Sequence, residues 1–339
     1  MPNKSIVLTQ QFIAVVPAAG AGKRMLAHCP KQYLTIDQKT ILEHTVERLL
    51  SHPLINKVII SLSESDEYFP RTSLVNNKNI QTVIGGKERV DSVLAGLNAI
   101  DPQVNSWVLV HDAARPCVTH DDISRLITLC LEKQTGGLLA APVRDTMKRS
   151  FNRDLEVNQV SKTVDRECLW HALTPQMYQV SELKEAIING LTNKAELTDE
   201  SSAIELANIP SLLVSASSEN IKITHPDDLA LATFFLAKQN KKHIQKQQLQ
   251  ETELANLIID VLNLEDLSPT DISPEEPLFG GGLGLDSIDA LELALALSER
   301  YGVELRADDE RNEEIFFSLR TLNNFVRQTP ESSVTANEQ

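Results

Sequence analysis

FIAVVPAAGAGKRM, residues 12–25, is the stretch of the sequence that decides the fold. Five apolar residues run into a turn of small residues, and two cations, Lys23 and Arg24, follow at once. This order predicts a buried strand that ends in a tight turn with basic residues at its far end. Small side chains let the backbone approach a ligand closely, and exposed N–H groups in such a turn favour anions. The ligand that this turn favours is a nucleoside polyphosphate.

The turn carries neither of the two common glycine motifs for phosphate binding. GxxxxGK[ST] and GxGxxG are both absent, and a Gly-x-Gly turn after a strand also occurs where nothing binds. Arg24 supplies a planar donor fork that suits phosphate oxygens. Lys31, in the neighbouring segment CPKQY, adds a cation that a short loop can bring back to the same phosphates. A lysine taken alone is more often a solvated surface charge.

Short apolar runs alternate with helical patterns over the first 237 residues. The patterns predict strands at 58–62, 80–84, 107–110 and 138–143, a short strand at 220–224, and helices at 40–50, 88–100 and 121–132. Such alternation implies an α/β fold with a mostly parallel sheet that is covered on both faces. In such sheets the ligand lies beyond the carboxyl ends of the strands.

Polar side chains follow these predicted strands. Asp112 comes two residues after the strand at 107–110, where a carboxylate can hold Mg²⁺ against nucleotide phosphates or, alternatively, cap the next turn. Gly86 and Ser92, in the segment GGKERVDS, follow the strand at 80–84 and can line a base or a ribose. The strand ends therefore predict a nucleotide site.

Charge divides the chain into two regions. Residues 251–339 hold 20 acidic and 5 basic residues, which is the whole formal charge of −15, whereas the first 250 residues hold 27 of each. We therefore expect a large domain at 1–237, a polar linker at 238–250, a small acidic domain at 251–330 and a disordered tail at 331–339.

The cysteines and the hydropathy pattern predict a cytoplasmic protein. The four cysteines show neither CxxC spacing nor a disulfide-like framework, which favours a reducing compartment. No signal-peptide pattern and no apolar run of membrane-spanning length is visible. Neither domain is predicted to bind nucleic acid.

Nine segments of the large domain closely resemble one family, the 2-C-methyl-D-erythritol 4-phosphate cytidylyltransferases. In family order they are PAAGAGKRM, CPKQY, GGKERVDSV, VHDAARP, APVRDTMKR, TVDR, WHALTPQ, TDESSAIE and IKITHPDDLA. The resemblance implies a Rossmann-like nucleotidyltransferase that is homodimeric through a protruding arm at 143–173. It also implies Mg²⁺-dependent transfer of CMP from CTP to 2-C-methyl-D-erythritol 4-phosphate, with release of pyrophosphate, in non-mevalonate isoprenoid precursor synthesis.

The resemblance also implies roles for individual residues. Arg24 and Lys31 would stabilise the charge that develops on the α-phosphate and the pyrophosphate. Lys222 would orient the attacking phosphate, Arg166 would reach the acceptor across the dimer arm, and Asp112 would bind Mg²⁺. The nucleotide would contact Pro17, Ala18, Ala19, Gly20, Ala21, Gly22, Lys23, Gly86, Ser92, Asp112 and Ala113, and the polyol phosphate would contact Arg115, Thr146 and Thr174.

Two other functions stay open at this point. One keeps the chemistry but changes the acceptor to another polyol phosphate, such as ribitol 5-phosphate; Arg166 and Thr174 in their TVDR and LTPQ contexts favour methylerythritol phosphate. The other makes the large domain an inactive scaffold for the small one. Four separated charged residues argue against a scaffold, because a scaffold has no reason to keep them together: Arg24, Lys31, Asp112 and Lys222.

The small domain has a helical and acidic pattern. An apolar stripe predicts an amphipathic helix at 252–264, and a loop follows at 273–277. After a glycine-rich segment, Ser287 opens a helix that continues to about Tyr301; a serine there is ordinarily an N-cap. The acidic setting, the glycines and the length nevertheless resemble an acyl carrier protein over 252–327. The resemblance implies a four-helix domain with 4′-phosphopantetheine on Ser287, with a phosphopantetheinyl transferase and acyl-handling enzymes as partners.

Overall fold

The computed structural model describes residues 11–20, 29–101, 106–151, 159–280, 282–303, 305, 309 and 311–328. The chain divides into two compact units, Met1–Leu236 and Ala237–Gln339. Across the ranges that the structure describes, none of the helices combines the length and the apolar composition that crossing a membrane requires.

The first unit is built around one large sheet. Its strands are β1 (Phe12–Pro17), β2 (Thr35–Ile36), β3 (Lys39–Thr40), β4 (Ile55–Leu62), β5 (Ile80–Ile84), β6 (Trp107–Val110), β7 (Gly137–Pro142), β8 (Met147–Ser150), β9 (Val160–Val164), β10 (Trp170–Gln179) and β11 (Leu212–Ser215). Seven of them form the sheet in the order β11-β7-β10-β6-β1-β4-β5. Only β10 runs antiparallel to its neighbours in this sheet, so the predicted, mostly parallel sheet is confirmed.

Helices cover both faces of this sheet. They are α1 (Ile41–Leu50), α2 (Arg89–Asn98), α3 (His120–Lys133), α4 (Val180–Thr192) and α5 (Glu200–Leu206). Phe12, Ala14 and Val16 of β1 belong to a core that includes α1 and α3, whereas Ile13 and Val15 belong to a core that includes α2 and α4. Alternate residues of a strand point to opposite faces, so an unbroken apolar run is buried on both sides.

The strand predicted at 220–224 is wrong. These residues have no regular secondary structure. Their backbone is held by separate contacts instead: the Ile223 N–H donates to the carbonyl of Ala114 at 2.9 Å, and Lys31 Nζ donates to the carbonyl of Ile223 at 2.9 Å. The segment therefore crosses the end of the sheet without joining it.

Strands β8 and β9 form a separate antiparallel pair within the predicted arm at 143–173. Met147 lies opposite Val164 in this pair, and its residues are mostly exposed. The N–H of Val143 donates to the carbonyl of Leu169 at 2.9 Å and closes the base of the arm. That the arm mediates dimerisation stays a prediction.

A buried glutamate fastens α1 to a neighbouring segment. Glu43 Oε2 accepts from the backbone N–H and the hydroxyl of Thr40, each at 2.7 Å, and Oε1 accepts from the N–H and the hydroxyl of Ser73, each at 2.8 Å. Burial alone would raise the pKa of Glu43, but these hydrogen bonds lower it to about 2. The side chain is therefore ionised at neutral pH, and it acts as an acceptor only.

We expect Glu43→Gln to lower the free energy of unfolding by about 1–3 kcal/mol at neutral pH, because the amide nitrogen cannot accept a hydrogen bond. Since the pKa is depressed in the folded protein, the carboxylate stabilises fully above its ordinary value of 4.5 and loses this effect as the pH falls towards about 2. Denaturant unfolding between neutral pH and about pH 3 checks this. The difference between the two proteins should shrink with falling pH, and a constant difference would contradict the prediction.

The second unit is helical. Its helices are the C-terminal part of α6 (Pro226–Val261), α7 (Ser287–Tyr301), α8 (Asn312–Ile315) and α9 (Leu319–Gln328). Leu254 and Ile258 of α6 pack in one core with Leu293, Leu297 and Leu322. The segment predicted as a linker, 238–250, is helical within α6.

Candidate active site

A pocket opens where β1, β5 and β6 end, at the carboxyl edge of the parallel strands. It is lined by Pro17, Ala18, Ala19, Gly20, Lys31, Gln32, Gly86, Lys87, Glu88, Arg89, Ser92, Asp112, Ala113, Ala114 and Lys222. The structure thus brings together ten of the residues that sequence reasoning proposed. Ligands of open α/β sheets bind at this edge.

Asp112 lies at the centre of a cluster of cations in this pocket. Its Oδ1 accepts from Arg89 Nε at 3.0 Å, and its Oδ2 lies 3.3 Å from Arg115 Nε and 2.9 Å from Lys222 Nζ. Burial alone would raise the pKa of Asp112, but Arg89, Lys222 and Arg115 hold it well below its usual range. The carboxylate is therefore ionised at neutral pH.

Thr174 and His111 form a chain of hydrogen bonds that fixes the backbone of Asp112. The Asp112 N–H donates to Thr174 Oγ1 at 3.1 Å. His111 Nε2 lies 3.0 Å from the carbonyl of Arg115, which can only accept, so Nε2 carries the proton of the neutral ring and donates. His111 Nδ1 is then an acceptor, and the Thr174 hydroxyl donates to it at 2.9 Å. Burial lowers the pKa of His111 to about 4, so the ring is neutral and its tautomer is fixed by these partners.

The segment that carries Lys222 is tied to the same cluster. Arg115 Nη1 donates to the carbonyl of Asn220 at 2.8 Å, and Asn220 Nδ2 donates to the carbonyl of Thr174 at 2.7 Å. Lys31 reaches the same segment through the carbonyl of Ile223. These contacts place the ammonium group of Lys222 beside Asp112. Arg115 and Thr174 are buried, and their polar atoms bond to protein groups next to the pocket.

Gln32 holds the turn that follows β1. Its buried side-chain amide donates to the carbonyls of Ala18 at 2.7 Å and of Gly20 at 3.1 Å. The N–H of a trans peptide points away from its C=O. Holding the Ala18 carbonyl on the Gln32 side therefore directs the next N–H, that of Ala19, to the opposite side, where it can serve an anion.

The opposite wall of the pocket is formed at the start of α2. The Gly86 N–H donates to Ser92 Oγ at 3.2 Å, and Ser61 Oγ donates to the carbonyl of Ser92 at 2.6 Å. A Cβ added to Gly86 would lie 2.2 Å from the Cβ of Asp91, so this loop has no room for a side chain there. Gly86 is exposed, so a ligand can approach the backbone of this wall closely.

The remaining predicted residues are not part of this pocket wall. Thr146 and Arg166 are exposed at the same end of the β8–β9 pair, and Arg166 Nη1 donates to the carbonyl of Arg144. The four predicted residues Ala21, Gly22, Lys23 and Arg24 lie outside the described residues.

The pocket suits a magnesium ion that arrives with phosphates. Mg²⁺ in nucleotide sites is held by one or two carboxylates together with phosphate oxygens and water. Asp112 supplies one such carboxylate, and it forms ion pairs with Arg89 and Lys222. In the part of the chain that the structure describes, no three His, Cys, Asp or Glu side chains are grouped to hold a metal. The donors therefore fit a nucleotide-bound ion rather than a cage made by protein alone.

Ser287 is exposed at the first residue of α7, and it is not the N-cap. That position belongs to Asp286, whose Oδ1 accepts from the N–H groups of Ile288 at 2.7 Å and Asp289 at 3.2 Å. Asp289 in turn accepts from the Asp286 N–H at 2.7 Å and completes a capping box. The Ser287 hydroxyl is therefore not needed to cap the helix.

Sequence reasoning proposed no role for several residues around the pocket, and three of them make contacts that shape it. Arg89 and Gln32 line it, and Glu200 binds Arg89 from behind. All three lie inside segments that the sequence did single out: GGKERVDSV, CPKQY and TDESSAIE. The sequence did contain a signal for Arg89. A charged residue in the first turn of a helix that follows a strand lies close to the carboxyl end of the sheet, where ligands bind.

Comparison with known proteins agrees with this geometry. Residues 12–238 match the family model for 2-C-methyl-D-erythritol 4-phosphate cytidylyltransferase (IspD), and residues 252–328 match the family model for a phosphopantetheine attachment site. A protein of the former name from Colwellia psychrerythraea is 62% identical over 237 residues, which cover 68% of this chain and 97% of the relative. Another, from Vibrio parahaemolyticus, is 55% identical over 228 residues, which cover 67% and 96%.

A solved structure leads to the same family. The 2-C-methyl-D-erythritol 4-phosphate cytidylyltransferase of Francisella tularensis matches with a TM-score of 0.57 and 35% identity, over 67% of this chain and 100% of that one. The match to the family model spans the whole of the sheet and the pocket. This chain therefore belongs to the 2-C-methyl-D-erythritol 4-phosphate cytidylyltransferase family.

Proposed function

We propose that the first unit transfers CMP from CTP to 2-C-methyl-D-erythritol 4-phosphate and releases pyrophosphate, as a step in isoprenoid precursor synthesis. The observation that carries this proposal is the pocket in which Arg89, Arg115 and Lys222 surround Asp112, in a chain of this family. Both reactants are anions, so the site has to position them and neutralise their charge.

In the proposed reaction an oxygen of the 4-phosphate attacks the α-phosphorus of CTP. A new P–O bond forms as the bond to the β-phosphate breaks in line with it, and pyrophosphate leaves. Lys222, whose ammonium group projects from a segment fixed at Asn220 and Ile223, orients the attacking phosphate. Lys31 and Arg24 stabilise the charge on the α-phosphate and the departing pyrophosphate.

The nucleotide itself would be held by the walls of the pocket. Backbone N–H groups of residues 17–22, with Lys23, would receive the phosphates, while Gly86 and Ser92 would pack against the cytosine and Asp112 and Ala113 against the ribose. A magnesium ion would be held by Asp112 and would supply neutralisation of the phosphate oxygens. Arg115 and Thr174 would contact the polyol phosphate or orient Asp112 towards it.

The acceptor site is completed, in this proposal, by a second copy of the chain. Thr146 and Arg166 are exposed on the arm, outside the wall of the pocket. A homodimer formed through residues 143–173 would bring Arg166 and Thr146 of the partner subunit to the acceptor phosphate. The second unit would carry 4′-phosphopantetheine on Ser287, which its exposure and the match to phosphopantetheine attachment sites support.

Pyrophosphate release from CTP, Mg²⁺ and 2-C-methyl-D-erythritol 4-phosphate tests the proposal. We expect turnover by the wild type and a loss of about 10²–10³-fold in Arg24→Ala, because a transition-state cation is removed. Arg71→Ala is the matched control, since Arg71 lies over the ring of Tyr68 outside the pocket wall. Turnover with ribitol 5-phosphate but not with methylerythritol phosphate would overturn the choice of acceptor.

A further inference from the structure

The segment TDESSAIE, residues 198–205, contains a buried carboxylate directed at the pocket from outside its wall. Glu200, the first residue of α5, is 2% exposed. Its two oxygens accept from the two terminal nitrogens of Arg89, at 2.6 Å from Nη1 and 3.1 Å from Nη2. Arg89 lines the pocket and Glu200 does not. Glu200 therefore contacts the pocket through Arg89.

Glu200 is held firmly in this position. On one side of it, Gln176 Nε2 donates to Asp199 Oδ2 at 2.9 Å; on the other, Gln176 Oε1 accepts from the Ser201 N–H at 2.7 Å. Asp199 also caps α5 by accepting from the Ser202 N–H at 2.9 Å. Since Gln176 belongs to β10, the carboxylate is anchored to the central sheet rather than to a surface loop.

The bidentate contact with Glu200 fixes the orientation of the Arg89 guanidinium relative to Asp112. With both terminal nitrogens fixed on Glu200, the guanidinium lies in an orientation in which its Nε–H donates to Asp112 Oδ1 at 3.0 Å. A guanidinium without such a partner can turn and bind a carboxylate through two parallel N–H groups. On Asp112 that arrangement would engage both oxygens with one arginine, in competition with Lys222 and with an incoming cation.

We infer that Glu200 is a positioning residue of the nucleotide site: by binding both terminal nitrogens of Arg89 it holds the guanidinium in the orientation in which this arginine makes one contact with Asp112. Asp112 thereby remains accessible to Lys222 and to the metal ion of a nucleotide. The inference rests on the proposed function, and it assigns to TDESSAIE a role in the metal requirement of that site.

Glu200→Gln tests this, with Glu43→Gln as the matched control. Both substitutions neutralise a buried glutamate of the same unit that binds neighbouring groups through both oxygens. Only the Glu200 variant is expected to raise the Mg²⁺ concentration for half-maximal CTP binding, measured by calorimetry in the full chain, by about 10–100-fold, with a similar fall in kcat. Glu43→Gln should lose thermal stability and leave both quantities unchanged.

Two further variants keep the test decisive if Glu200→Gln folds poorly. Glu200→Asp retains the charge and should restore much of the Mg²⁺ affinity. Arg89→Lys has no bidentate fork that could engage both oxygens of Asp112, so it should not raise the Mg²⁺ requirement, whatever its effect on kcat. An unchanged Mg²⁺ requirement in Glu200→Gln, or a raised one in Arg89→Lys where the former does not fold, would overturn the inference. Absence of turnover in the wild type would instead overturn the proposed function.

Discussion

Replacing Asp112 by asparagine is expected to lower kcat for cytidylyl transfer by at least about 10²–10³-fold. Asp112 is the carboxylate on which Arg89, Arg115 and Lys222 converge, and these cations lower its pKa and so favour its charged form. An amide presents one oxygen and one N–H₂ group, so it cannot accept from all three cations. Lys222 would lose the contact that orients it.

The same substitution should separate turnover from nucleotide affinity. Without the carboxylate the pocket becomes more positive, because Arg115 and Lys222 lose the negative charge beside them while Arg89 keeps its contact with Glu200. A triphosphate without metal should therefore bind Asp112→Asn at least as well as it binds the wild type, and the gain in affinity that Mg²⁺ gives the wild type should disappear. Calorimetric titrations of CTP with and without Mg²⁺ measure both effects.

Asp122→Asn is the control for this experiment. Asp122 is also buried in the first unit, pairs with Arg125 at 2.9 Å and accepts from the Ser217 N–H, but it does not line the pocket. Its amide variant should lose stability while keeping the Mg²⁺ dependence of CTP binding. If Asp112→Asn kept wild-type kcat, or if both variants lost activity equally, the central role of Asp112 would be wrong.

Much of the fold could be predicted because its signals are local. An unbroken apolar run such as that of β1 occurs where a strand is covered on both faces. The strand expected at 220–224 was wrong because its signal was also local. Ile221 and Ile223 alternate with polar residues, and this alternation indicates burial but does not show that the segment pairs with a sheet. Which groups satisfy the backbone of that segment depends on Ala114 and Lys31, far away in the sequence.

The site could be predicted as a set of residues but not as a set of contacts. Arg89 and Glu200 are 111 positions apart, and no spacing in the sequence relates them. The cluster exists only because β10 and α5 return the chain to the end of β6. The capping box at α7 was different: Asp286 and Asp289 stand three positions apart, so the sequence held the signal that aspartate caps this helix instead of Ser287.

Ser287→Ala is expected to abolish attachment of phosphopantetheine completely, because the serine oxygen is the atom that forms the phosphodiester bond. Incubation with a phosphopantetheinyl transferase and coenzyme A, followed by intact-mass measurement, should show one added group on the wild type and none on the variant. Ser298→Ala is the matched control, since Ser298 is exposed on the same helix and should leave the modification unchanged. A mass gain in Ser287→Ala would contradict the assignment.

The variant also tests whether the hydroxyl serves the fold. Asp286 and Asp289 already satisfy the first N–H groups of α7, so Ser287→Ala should change the free energy of unfolding by less than the roughly 1 kcal/mol that loss of an N-cap costs. Asp286→Ala should show that larger cost. Because a residue that bears neither a capping bond nor buried surface has no structural reason to be serine, a stable but unmodified Ser287→Ala protein would leave attachment as the function of that hydroxyl.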